Sequence, residues 1–510
     1  ALRRWVVLAI AIAIVAGFFP LRRLFGELAA TLAVLYLAWD PFFVALSRQL
    51  HLDGLLASLI CLALLTFLAW LYGGGQKRYL IASGLATGLA LLTKTPAVFV
   101  LPTTGLLLLI ETSRRRRAGR NDLLALFGSY AIWLAIAGAL FFLLWPVMWR
   151  NAPDVLRTIV EMMTVHGQGH ELPNYFRGEV TYDPGLLFYP VAFFFRTTPM
   201  TLFGLLAALA WGWRQRWPLD TADRRFSTFG LVLFALIFTL GMALGAKKFD
   251  RYLLPAFLVL DVVAALGWLG LASWLGSRLR SERDQQQAQE QNVARLGSAG
   301  VVLLIALFLA HGWLGIRHAP YYLSYYNPLA VAVVGERNSV SDVMLVGWGD
   351  GLDVAAAWLN QQPDAATMRV ASWYNDGPVS YFLTTDKRVL PYSDGDFWLA
   401  DYAIAYSNQW QREIPSREAT QYYESLEPVH TVTLDGLTMA RIYDQRDVPP
   451  PSFTGISTDS AAALGPAFRL VAHQIPNPSV LPGDNAAVTL FLEKIAPVAA
   501  DYELRLRLVG

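Results

Sequence analysis

Cysteine is nearly absent: Cys61 is the single one in 510 residues. A lone thiol excludes an internal disulfide framework and an internal thiolate metal site. Its apolar neighbours make Cys61 a small core or lipid-facing residue. No signal peptide is visible in the sequence. The chain opens inside an apolar segment at Ala1, without a methionine, and stops at Gly510 in a strand-like run, so a fragment is expected at both ends. No internal repeat is visible, which weighs against a transporter built from duplicated halves. The C-terminal part carries no clustered basic face, which excludes nucleic-acid binding there.

What is abundant is apolar surface, at 55% of residues with a mean hydropathy of +0.39. It comes in blocks such as Trp5–Phe19, Leu123–Trp149 and Val301–Leu309. The longer ones approach or exceed the roughly 20 residues that span a bilayer. The pattern predicts a mainly α, polytopic membrane bundle of about ten helices, at 5–20, 24–46, 52–73, 79–93, 96–111, 123–148, 198–213, 226–246, 253–276 and 298–317. The formal charge of +2 hides an asymmetry. From Val340 onward there are 11 Lys+Arg against 21 Asp+Glu, a net −10, which leaves 30 against 18, a net +12, for the remainder. Arg22/Arg23, Lys77/Arg78, Arg114–Arg117 with Arg120, Arg214/Arg216/Arg224/Arg225 and Arg278/Arg280/Arg283 fall in alternate loops. The positive-inside rule makes these loops cytoplasmic and places the tail after Pro320 outside, with Arg3 and Arg4 a weak violation. A plasma-membrane protein with its C-terminal part extracytoplasmic is therefore expected.

Three domains follow: a transmembrane domain over 1–330, an extracytoplasmic α/β domain over 338–448, and a partial β-sandwich-like segment over 452–510, after the Pro449-Pro450-Pro451 linker. In the tail, strands are predicted at Ser341–Leu345, Met368–Tyr374, Leu399–Tyr406 and His430–Tyr443, and a helix at Gly351–Gln361. Period-two alternation marks Phe468–Gln474, Ala486–Leu492 and Tyr502–Leu508, with a turn at Pro482-Gly483-Asp484. Ser281–Gln291 reads as a polar cytoplasmic linker.

Four groups of ionisable residues converge on the outer face by this topology: Arg48, His51 and Asp53 between two helices; Lys94 at the helix break Thr93-Lys94-Thr95-Pro96; His166 and His170 in the long loop 150–197; and Lys247, Lys248, Asp250 and Arg251 in a short turn. Charges near apolar helix ends usually line a cavity or a substrate path. The basic turn lies on the wrong side for the positive-inside rule, which points to anion binding, with interfacial snorkelling as the alternative. Asp53 is open to two readings, a helix N-cap or a catalytic carboxylate. Lys94, alone in an apolar stretch, needs an anion or a carboxylate. His166 and His170 have the i, i+4 spacing of a zinc site, but Gly167 and Gly169 argue against a helix there and no third ligand is evident, so no metal is expected. Asp40-Pro41 reads as the shaper of a helix end.

The blocks Asp40-Pro41-Phe42-Phe43 with Ser47-Arg48 and Leu52-Asp53-Gly54, then Gly84–Pro102 around Thr93-Lys94, then Lys248 through Arg251-Tyr252-Leu253-Leu254-Pro255, resemble in order segments of the polyprenyl-phosphate-dependent membrane glycosyltransferases. These include the protein mannosyltransferases and the lipid A aminoarabinose transferases. The resemblance implies a GT-C fold and an inverting hexosyl or pentosyl transfer, without a cofactor, from a polyprenyl-phosphate sugar to a glycan, lipid or protein hydroxyl. It implies a catalytic role for Asp53 and donor-phosphate binding by Lys94, Lys248, Arg251 and Tyr252. The aromatic, glycine-bearing loop with His166, His170 and Tyr175 matches a substrate lid, while Pro153–Thr164 alone reads as an interfacial amphipathic helix. The family's acidic pair in the first external loop would precede Ala1. A transporter or flippase of a lipid-linked anion, and a membrane anchor for the tail, are the competing classes.

Overall fold

The computed structural model describes residues 2–119, 122–168, 172–279, 296–459, 461–475 and 487–498, and the chain divides into two compact units, Ala1–Leu345 and Val346–Gly510. The first is helical. Helices α1 (Leu2–Ala16) and α2 (Phe18–Phe25) form one span, and α3 (Glu27–Trp39) bends by 64° into α4 (Pro41–Ser47). Then follow α5 (Asp53–Tyr72), α6 (Lys77–Thr93), a 3-10 turn at Thr95–Phe99 leading into α7 (Val100–Arg117), α8 (Leu123–Leu144) and α9 (Val147–Gln168). A hairpin of β1 (Asn174–Phe176) and β2 (Glu179–Thr181) precedes α10 (Phe188–Arg196), α11 (Pro199–Trp213) and α12 (Ala222–Ala243). A 3-10 turn at Asp250–Leu253 opens α13 (Leu254–Arg278), and α14 (Gly297–Ile316) completes the bundle. Among the described residues, seven helices are long and apolar enough to cross a membrane, or nine spans when each bent pair counts as one. The 17-residue α6 is shorter and packs between α5 and α8, so it accounts for the tenth predicted helix.

Apolarity all round marks the central helices. α5 and α13 are the most enclosed and α8 the least, with Leu124, Leu134, Leu143 and Leu144 facing outward as lipid-exposed positions must. α11 and α13 approach so closely that a Cβ on Gly267 would lie 1.9 Å from the Gly204 carbonyl oxygen. Small residues at such crossings let membrane helices pack. Both bends are written in the sequence. Asp40 Oδ1 accepts from Phe43 N at 2.6 Å and so caps α4, with Pro41 at its first position, as expected for Asp40-Pro41. Thr198 caps α11 ahead of Pro199, and there the chain turns by 108°, so the helix predicted over 198–213 is preceded by a separate arm, Phe188–Arg196. Some polar groups near these bends pair internally: Thr201 Oγ1 donates to Asp261 at 2.7 Å, and His311 Nε2 lies 3.2 Å from the Tyr36 carbonyl oxygen.

Three of the basic loops meet at one end of the bundle. Arg23 donates to the Gly73 carbonyl, Arg114 and Arg115 both bind Glu111 at 2.7 Å, and Arg114 reaches Asp223 at 2.9 Å. Arg224 donates to the Leu24 carbonyl at 3.4 Å. Ser281–Gln291 lies outside the described residues.

The second unit holds a mixed sheet in the order β3 (Val370–Ser372), β4 (Tyr402–Tyr406), β6 (Leu437–Asp444), β5 (His430–Leu434). β3 and β4 are parallel and the other pairs antiparallel, with Tyr402 opposite Asp444. The strand expected over His430–Tyr443 is thus a hairpin, turned at Asp435-Gly436, both with positive φ. No strand forms at Ser341–Leu345. A 3-10 turn covers Asn338–Asp342, and Met344 makes an isolated bridge to Phe176. A second sheet runs β10 (Thr489–Lys494), β9 (Phe468–Gln474), β7 (Ile456–Ser457), with β8 (Ala462–Leu464) also on β9. The expected strand at 502–508 and the turn at 482–484 lie outside the described residues.

Residues from both sides of Pro449–Pro451 share one core: Tyr392, Phe397, Trp398, Tyr423 and Tyr443 pack with Ile456, Ala472 and Phe491. Phe453 meets the edge of the Trp398 ring at 5.6 Å. A fragment ending at Pro449 is therefore expected to melt about 5 °C or more below one ending at Pro497, because it loses several apolar contacts each worth of order a kcal/mol. Equal midpoints by circular dichroism would show that the two parts are energetically separate.

Candidate functional site

At the end of the bundle opposite the arginine cluster, three segments bring charge together. Asp53 is the first residue of α5 and its side chain is almost fully buried. No side-chain bond caps this helix, so the carboxylate is not spent on capping. Instead Lys94 Nζ lies 2.6 Å from Asp53 Oδ1 and Arg251 Nε 3.5 Å from Oδ2. Lys94 occupies the C-cap of α6 in an extended conformation (φ −165°, ψ 145°), where Pro96 prevents the helix from continuing. Arg251 sits on the 3-10 turn that opens α13. The Tyr252 ring supports both cations, 4.6 Å from Lys94 Nζ and 5.2 Å from the Arg251 guanidinium carbon.

His51 Nδ1 lies 3.1 Å from Asp53 Oδ2 and 3.3 Å from the Asp53 amide nitrogen. It donates to the carboxylate when Nδ1 carries a proton and accepts from the amide when it does not. Two cations around one carboxylate leave the group net positive. Such a group is set up to receive an anion without leaving a buried charge unpaired.

Beside the trio lies a cavity of about 510 Å³, lined by Lys94, Lys247 and Tyr252 among Pro96, Phe99, Met162, Met163, Met242 and Leu244. Apolar walls with a few polar groups are the usual form of a small-molecule site, and an apolar chain with an anionic head matches this lining. Met162 and Met163 come from α9, which runs from Val147 to Gln168 with a break at Asn151, ahead of Pro153. The helix therefore extends beyond the expected Pro153–Thr164 and passes through Gly167, where the glycine had argued against helix. His166 lies in its last turn, but its side chain and all of His170 lie outside the described residues.

Of the other predicted site residues, Tyr175 lies in β1 with its hydroxyl donating to the Asp342 carbonyl at 3.3 Å. Lys248 Nζ is bound to Asp183 and the side chain is buried. Arg48 lies 4.7 Å over the Tyr322 ring. Lys247, grouped in the sequence with its charged neighbours, lines the cavity. One residue escaped the sequence reading. Arg196, almost fully buried, binds Asp250 at 2.7 Å and donates to the carbonyls of Leu323 and Tyr325 at 2.8 Å each. The one available signal was an arginine closing the apolar run Phe193-Phe194-Phe195. Among the described residues, no group of three or more His, Cys, Asp or Glu side chains is placed to hold a metal.

Solved structures with similar chains include ArnT from Cupriavidus metallidurans in the apo state, at 15% identity over 88% of this chain and 84% of that chain, with a TM-score of 0.44. The same protein bound to undecaprenyl phosphate matches at 16% identity over 86% and 83%, TM-score 0.43. The archaeal oligosaccharyltransferase AglB from Archaeoglobus fulgidus, in complex with an inhibitory peptide and a dolichol-phosphate, matches at 16% identity over 87% and 63%, TM-score 0.41. No curated protein matches the chain. Residues 1–149, which carry Asp53 and Lys94, match the family model of the dolichyl-phosphate-mannose-protein mannosyltransferases, and over that segment the chain is similar to this family.

Proposed function

We propose that the protein is a membrane glycosyltransferase that moves a sugar from a polyprenyl-phosphate donor to an acceptor hydroxyl at the extracytoplasmic face. The observation that carries this reading is the Asp53–Lys94–Arg251 trio beside an apolar cavity, with Asp53 and Lys94 inside the segment that matches the mannosyltransferase family. An isoprenoid chain fits apolar walls, and its phosphate fits the ammonium of Lys94 and the guanidinium of Arg251. In the reaction the acceptor oxygen forms a bond to the anomeric carbon from the face opposite the phosphate, and the bond from that carbon to the phosphate oxygen breaks. The configuration inverts and the polyprenyl phosphate leaves with both bonding electrons. The two cations stabilise its charge, and the proton of the acceptor hydroxyl passes to Asp53. A phosphate that takes over Lys94 releases the carboxylate from its ion pair at the moment it is needed as a base. The sugar is a hexose or pentose, and the acceptor a glycan, lipid or protein hydroxyl. Mass spectrometry of lipid-linked sugars after deletion of the full-length gene tests this: accumulation of one polyprenyl-phosphate sugar supports it, and an unchanged lipid pool overturns it.

The reading requires the second unit to be extracytoplasmic. Cysteines placed at Gly119 and Ser380 are expected to differ by at least tenfold in labelling by an impermeant maleimide on intact cells, with Ser380→Cys the reactive one. The native Cys61 is buried and adds no background. Equal labelling overturns the topology.

A further inference from the structure

The turn 247–252 carries two lysines side by side, and the structure gives them different tasks. Lys247 lines the cavity. Lys248 is buried and points to the external hairpin, where its Nζ donates to Asp183 Oδ1. The main chain of the same residue is held by that hairpin as well, since Asn174 Nδ2 donates to the Lys248 carbonyl. Asp183 is prepared for the contact: its amide donates to Thr181 Oγ1 at 3.2 Å, and its Oδ1 accepts from Gly185 N at 2.9 Å. Partial burial pushes the pKa of its carboxyl up, but the Lys248 ammonium and the Gly185 amide outweigh this and hold it below the usual carboxylate range. The far side of the hairpin is tied down as well, because Arg177 N donates to the Val343 carbonyl at 2.9 Å.

We infer that Lys248 is a positioning residue which, with Asp183, fastens the external hairpin to the turn that carries Arg251. A buried ammonium demands a counter-charge, so the hairpin cannot lift without stranding it. Two residues further on, Asp250 is gripped by Arg196. The turn is thus held from the hairpin at Lys248 and from α10 at Asp250, and the Arg251 guanidinium stays over the Phe249 ring at 4.4 Å and beside Asp53. The inference rests on the proposed function only for the ligand used in one arm of its test.

That test uses the full chain in detergent, with the variants Lys248→Met, Asp183→Asn and both together. Hydrogen–deuterium exchange over residues 172–187 is expected to rise at least tenfold in each single variant. The double variant is expected to match the worse single one, because both remove the same contact. Asp183→Asn covers the case in which Lys248→Met does not fold. Undecaprenyl phosphate is the binding probe. A positioning role predicts that both single variants weaken its binding, in the same direction and by roughly three- to tenfold. If Lys248 were itself a phosphate ligand, Asp183→Asn would free it and tighten binding, which overturns the inference, as does unchanged exchange. If the parent protein binds no undecaprenyl phosphate, the glycosyltransferase reading fails, and the exchange measurement alone decides the latch.

Discussion

Asp53→Asn is expected to lower sugar transfer by roughly 10²–10⁴-fold, the range typical of a lost general base, while the protein still folds and still binds donor. Asparagine has nearly the shape of aspartate and caps helices about as well, so a structural role would tolerate the change. The side chain does not cap α5; both of its oxygens are directed at Lys94, Arg251 and His51. Neutralising it leaves two cations around an uncharged amide, but both are partly exposed, which lets water offset much of the cost. The two cations then face an incoming phosphate without a competing carboxylate. Affinity for undecaprenyl phosphate should therefore be unchanged or higher while turnover collapses. This split separates a catalytic carboxylate from a misfolded site, in which both would fall. Near-normal turnover by Asp53→Asn, measured on purified protein with a polyprenyl-phosphate sugar, would make the Asp53 ion pairs purely structural.

Lys94→Met and Arg251→Gln should each weaken binding of undecaprenyl phosphate by about 10- to 100-fold. A hydrogen bond to a charged group contributes about 1.5–3 kcal/mol, and 1.4 kcal/mol is a factor of ten. Methionine keeps the length and apolar stem of lysine but removes the charge. Glutamine keeps a donor at the Arg251 position but loses the charge and the stacking on Phe249 and Tyr252. Acceptor affinity should change little in either variant. Because both cations contact the same carboxylate, the double variant should fall short of the product of the single effects. Unchanged donor affinity in both single variants would remove them from the phosphate site and leave the trio as a helix clamp.

The fates of particular residues show what was legible from sequence. The apolar runs, their lengths and the helix stops at Asp40-Pro41 and Lys94-Thr95-Pro96 are local properties. Hydrophobicity and proline stereochemistry act over a few residues, so the helices of the bundle and both kinds of break could be read directly. The basic loops were legible too, and the contacts of Arg23, Arg114 and Arg224 draw three of them together at one end of the bundle. β9 fell on Phe468–Gln474 as the alternation indicated, because period-two patterning reports a half-buried strand wherever it pairs. The strand expected over His430–Tyr443 is divided by the turn at Asp435-Gly436 into the two strands of a hairpin.

Partnership between segments distant in sequence was decided by the tertiary structure. Composition marked Asp53, Lys94 and Arg251 as charges at helix ends, but that Lys94 and Arg251 bind the same carboxylate follows from how α5, α6 and α13 pack. The turn 247–252 makes the point at single-residue resolution. Sequence made Lys247, Lys248, Asp250 and Arg251 one basic cluster. Its backbone directs successive side chains to different surroundings, so Lys247 lines the cavity, Lys248 meets Asp183, Asp250 meets Arg196 and Arg251 meets Asp53. Arg196 was invisible as a site neighbour for the same reason, because its carboxylate partner lies 54 positions away. Helix periods and apolar lengths are set by local stereochemistry and by transfer from water, which the sequence carries in full. Which charge neutralises which is set by the geometry of packed helices, where a shift of a few ångströms exchanges one ion pair for another.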